Sequence, residues 1–133
     1  MIKYNKKKLD TQTQTILAEN ASVYGQSTAL ENYIAQSQTT DWNTLLCMAS
    51  LEWSAAKATG FDEDLIDFGN AALNWLRKAQ LLSQEDSIDS YIQKIEKEIA
   101  KAAKRQEKEL KYILEAEAQV PERLKEDPYL SEV

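Results

Sequence analysis

The sequence predicts an all-α protein: an antiparallel helical bundle of about five helices, with a long C-terminal helix and a flexible acidic tail. Three observations predict it. Apolar residues recur every three or four positions over most of the 133 residues, the repeat of a helix that buries one face. Three glycines and two prolines are too few for the tight turns of an all-β domain. The apolar share of 43% can build one core, and the length suits a single domain.

The chain divides into a basic N-terminal arm over 1–8, a helical domain over 9–120 and a tail over 121–133. Leu9, Thr13, Ile16, Asn20 and Val23 predict a first helix over 9–24, with Gly25 placed to end it. Ser27 or Thr28 then opens a second helix to about Gln38. Thr28 and Glu31 have the spacing of a capping box, and Leu30, Tyr33 and Ile34 form the apolar side.

Asp41 caps the third helix, where Trp42, Leu45, Leu46, Ala49, Trp53 and Ala56 give the firmest core pattern before Gly60. The fourth helix starts behind Asp62, with Glu63 and Asp64 in the first turn offsetting the amide dipoles. Leu65, Phe68, Ala72, Trp75, Leu76 and Ala79 face inward, and Gly69, Ala71 and Ala72 leave room for a close neighbour. Ser83 or Ser87 caps the fifth helix, expected over 86–118 and stopped before Pro121. At 1.5 Å per residue it is roughly 50 Å long, more than the core needs, so its far half should project. Ile88, Ile92, Ile95 and Ile99 make its seam, which continues weakly through Ala103, Gln106, Leu110, Ile113, Glu117 and Val120.

Composition removes several function classes. With no histidine there is no Ser-His or Cys-His nucleophile, and the usual transition-metal ligand is missing. One cysteine allows no disulfide within the chain, which fits a reducing, cytoplasmic setting. No run reaches the roughly 18 apolar residues of a spanning helix. A Thr/Gln stretch follows the first lysines where a signal peptide would be apolar. Neither a cofactor nor a metal is expected. Asp62, Glu63, Asp64 and Asp67 fail the calcium-loop pattern, because the sixth and twelfth positions are Asp67 and Leu73. Cys47, between Leu46 and Met48, reads as a small core residue, and Glu52 beside Trp53 lacks an opposed carboxylate for acid–base chemistry. The three tryptophans read as core packing. Ser131, Glu132 and Val133 have the form of a carboxylate-capture ligand in three residues only, too short a pattern to carry a function. Ala72, Leu76 and Ala79 have the spacing of generic antiparallel helix pairs, and the Trp and Gly pattern of a tetratricopeptide helix is missing.

The remaining clue is the projecting half of the last helix. Leu110, Tyr112, Ile113, Leu114 and Val120 lack an obvious partner inside the chain, so the expected role is a non-enzymatic protein-binding module. Its partner would be another protein or a second copy, with Lys104, Arg105 and Lys108 at the rim and no membrane involved. The alternative is a subunit of a nucleoprotein complex. From Lys94 to Lys111 seven cations, Lys101, Lys104, Arg105 and Lys108 among them, stand against four glutamates, a face that would lie along RNA or DNA.

Overall fold

A computed structural model describes residues 2–118. Among them are five α-helices and no strand: α1 (Thr11–Glu19), α2 (Val23–Ser37), α3 (Trp42–Ala58), α4 (Asp62–Leu82) and α5 (Asp86–Ala118). A 3-10 turn, Lys6–Lys8, precedes α1. Each helix packs on its successor in the chain, most extensively α3 on α4 and α4 on α5. The tail over 121–133 lies outside the described residues.

The first predicted helix divides into α1 and the start of α2, and side-chain capping is the reason. Asp10 accepts the Thr13 N–H at 2.7 Å and opens α1, while Asn20 Nδ2 donates to the Ile16 carbonyl and closes it. Ser22, not Ser27 or Thr28, then caps α2 by accepting the Gly25 N–H at 3.0 Å. Gly25 therefore begins a helix rather than ending one. A Cβ there would meet Ser22 Oγ at 3.1 Å and Asn20 Oδ1 at 3.3 Å, so the tight corner favours glycine. Gln26 Nε2 fastens the corner by donating to the Leu17 and Asn20 carbonyls. Thr28 and Glu31 both fall inside α2 and make no capping box.

Gln38 closes α2 in the left-handed conformation, φ 51°, and its N–H reaches the Ile34 carbonyl. Asp41 caps α3 as expected, accepting from the Asn43 N–H and the Thr44 hydroxyl. This helix is the centre of the core: twelve of its seventeen residues are buried, including Cys47, Met48 and Ala49. Helix α4 starts at Asp62 with Phe61 in the cap position. No side chain caps it, and Asp62, Glu63 and Asp64 supply the negative charge that the exposed amides favour. The small-residue patch allows the close approach it predicts: a Cβ on Gly69 would lie 2.9 Å from Ile99 Cδ1.

Helix α5 follows the predicted span. Ser83 acts in the turn before it, accepting the Glu85 N–H, and Ser87 lies within the helix. Ile88, Ile92 and Ile95 are buried and Ile99 packs on the core. The next buried position is Ala102, whereas Ala103 is exposed. With 3.6 residues per turn, the step after Ile99 that stays on the buried face is three, not four.

Residues 2–8, read from sequence as an arm, lie against the bundle. Ile2 and Leu9 are buried, and Tyr4 packs on the core. The Asn5 N–H donates to Asn43 Oδ1 at 2.8 Å, and Asn43 Nδ2 returns a bond to the Asn5 carbonyl at 2.9 Å. A side-chain amide thus pairs with the segment as a second backbone would. The Lys3 N–H donates to the Tyr91 hydroxyl on α5 at 3.3 Å.

Candidate functional site

The bundle ends, and the rod begins, at one ion pair. Arg105 on α5 donates from Nε and Nη2 to Asp62 Oδ1, at 3.0 and 2.9 Å, which places the first turn of α4 level with Arg105. Gln106 is half-buried, and every residue from Glu107 to Ala118 is exposed. That stretch of twelve residues is about 18 Å of helix left uncovered by the other described residues.

Within it Leu110 is 57% exposed, Tyr112 75%, Ile113 54% and Leu114 55%. Leu110 and Ile113 continue the line of Ile95, Ile99 and Ala102, and Leu114 lies beside Leu110. Tyr112 departs from that face. It stands one turn beyond Lys108, on the opposite side of the helix. Val120 lies outside the described residues.

Phe61, which the apolar periodicity does not mark, adds to this surface. It is 73% exposed in the cap of α4 and lines a hollow of about 550 Å³ with Gln106 and Glu109, at the foot of the rod. Its position between Gly60 and an acidic helix start was a signal that periodicity cannot weigh, because a cap residue belongs to no helix face.

The basic residues expected at the rim are placed otherwise. Lys101, Lys104 and Lys108 are exposed and fall about half a turn from the apolar seam, on the outer face. Lys101 lies 3.6 Å from Glu98, and Arg105 is engaged with Asp62. Leu110, Ile113 and Leu114 are flanked instead by Glu107 and Glu109, with Lys111 next to Leu114.

Two buried groups bear on chemistry. The Cys47 thiol is fully buried, and desolvation pushes its pKa up to about 11; Tyr4 beside it is raised to about 12, also chiefly by burial. Both are neutral at physiological pH, so Cys47 is a core residue and not an activated thiolate. Glu52 is buried on α3 and accepts the Ser27 hydroxyl from α2 at 2.7 Å. Burial raises its pKa against the lowering effect of that bond, and the charge of Glu31 raises it further. Glu31 is thus the nearby carboxylate that α3 alone could not reveal, since it comes from α2.

Other open features are an apolar groove of about 480 Å³ between α2, α3 and the end of α4, lined by Ile34, Leu45, Trp75 and Leu82. Lys78 lies over the Trp75 ring at 4.5 Å. Among the described residues no cluster of three or more His, Cys, Asp or Glu has metal-binding geometry, and no helix is long and apolar enough to cross a membrane. Comparison of the chain with protein-family models, with characterised proteins and with solved structures gave no match.

Proposed function

We propose that this chain is a non-enzymatic, cytoplasmic protein-binding module that docks an amphipathic helix of a partner along the seam side of the α5 rod. The observation that carries the reading is the exposure of Leu110, Ile113 and Leu114 on the same line that upstream residues use to bury α5 in the core. Helix seams of this kind are covered when a second helix lays its own apolar face against them. Phe61 at the foot of the rod would cover one end of the docked helix.

Charge selects the partner. Residues 107–118 contain four glutamates and two lysines; Lys108 faces away from the seam, and Lys111 beside Leu114 is outnumbered there by Glu107 and Glu109. A second copy would set Glu107 and Glu109 against their own counterparts, so the reading favours a different protein whose helix carries Lys or Arg beside its apolar stripe.

The test uses full-length protein and two labelled amphipathic peptides with the same leucine seam, one flanked by lysine and the other by glutamate. The lysine-flanked peptide should bind, and Ile113→Glu with Leu114→Glu should weaken it more than tenfold while the circular dichroism spectrum stays helical. Equal binding of both peptides, or retained binding by the double variant, would reject the seam as the docking surface. Light scattering should give a monomer; a dimer dissociated by the same two substitutions would replace the foreign partner with a second copy.

A further inference from the structure

Charge is segregated in this molecule. Residues 1–9 and 94–111 together hold eleven of the sixteen cations and only four of the twenty-two carboxylates, a net +7 within a chain of −6. The fold joins the two segments. Lys3, Lys6, Lys7 and Lys8 line an open basin of about 1160 Å³, and Lys94 of α5 lines the same basin. Asp41 and Glu85 also border it. From Lys94 the exposed series Lys97, Lys101, Lys104, Lys108 and Lys111 recurs every three or four residues down the outer face of α5, about 25 Å in all.

Aromatic rings accompany the lysines at both ends. Tyr4, Trp42 and Tyr91 are partly exposed walls of the basin, and Tyr112 stands out one turn beyond Lys108. Cations that follow a phosphate backbone, interleaved with rings on which bases stack, are the means by which proteins hold single-stranded nucleic acid. The width of the band points the same way. Glu96 and Glu107 run along one flank of the lysine series and Glu98 and Glu109 along the other, so the wide phosphate rails of a duplex would overlie carboxylates, whereas one strand fits between them.

We infer that the N-terminal basin and the outer face of α5 form one track for single-stranded nucleic acid. The track is separate from the seam side of the rod, so it stands or falls independently of the docking surface above.

Fluorescence anisotropy with a labelled twenty-nucleotide oligouridylate tests it on the full-length protein. Affinity should fall linearly on a log–log plot against salt. Lys6→Gln with Lys7→Gln, and separately Lys97→Gln with Lys101→Gln, should each reduce the slope by about 1.4, two contacts at about 0.7 apiece. All four side chains are exposed, so both variants should keep the parent melting temperature to within a few degrees. The strand should quench tryptophan fluorescence, and Trp42→Phe should remove most of that quenching. Ile113→Ala with Leu114→Ala, which leaves the charge unchanged, should bind the strand as the parent does. Salt slopes unchanged in both lysine variants would overturn the proposal, as would a duplex binding as tightly as the single strand. Displacement of the strand by polyglutamate as effectively as by unlabelled oligouridylate would also overturn it, reducing the track to a surface for acidic protein.

Discussion

Arg105 and Asp62, forty-three residues apart in sequence, are joined by two hydrogen bonds through one carboxylate oxygen, and that pair fixes where α5 leaves the bundle. Among the described residues the rod beyond it is held by its own backbone bonds, and a helix without tertiary contacts is only marginally stable. Arg105→Ala should therefore speed amide exchange from Gln106 to Ala118 and leave α3 as protected as before. Hydrogen-exchange mass spectrometry measures both regions at once, and equal protection of the rod in the two proteins would show that the pair does not anchor it. Overall stability should change little, since the arginine is exposed.

Glu52 makes the fold sensitive to pH. Its pKa is raised in the native state, mainly by burial, so the folded protein binds the proton more tightly than the unfolded chain. The sign follows: the native state is favoured below the ordinary glutamate range near 4.5, and that contribution is lost as pH rises through the raised value. Glu52→Gln should match the parent at low pH and exceed it in stability above that window. Urea denaturation across pH would show it, and parallel pH profiles for the two proteins would contradict it. Ser27→Ala, which removes the donor to the carboxylate, should destabilise at neutral pH by about 1.5–3 kcal/mol.

Gly69 is the closest point between α4 and α5. Valine there would drive a branched side chain into Ile99 and towards Trp53 Cζ3, already 3.4 Å from an added Cβ. Gly69→Val should cost about 1–3 kcal/mol in chemical denaturation, the range for overpacked cores. Gly69→Ala should cost less, because the Ile99 side chain can give way and alanine favours the helix by about 1 kcal/mol. A valine variant as stable as the parent would mean that the helices separate without loss.

Much of this architecture was legible in the sequence, for physical reasons that differ by element. The α5 span, the Asp41 cap and the acidic start of α4 are local: each depends on residues within a turn or two, and one sequence contains them all. The α1–α2 corner is not legible in this way, because Asn20, Ser22 and Gln26 close it with side-chain bonds, which periodicity does not register, and Gly25 serves the corner's crowding. The exposed seam of Leu110, Ile113 and Leu114 was legible as a pattern outrunning its core. Sequence proximity groups Tyr112 with it, although one residue along a helix is about 100° of rotation. The basin, Phe61 and the nearness of Glu31 to Glu52 were not legible, since each is created by elements distant in sequence.

The clasp made by residues 2–9 has a consequence for the order of assembly. Every helix rests on the one before it, so the array can zip forward as a series of local closures with little loop entropy to overcome at each step. The Lys3–Tyr91 bond spans 88 positions and Asn5–Asn43 spans 38. Residues 2–9 thus wait for partners first on α3 and then on α5, and the Lys3 end of the clasp closes only once the start of α5 has arrived to receive it.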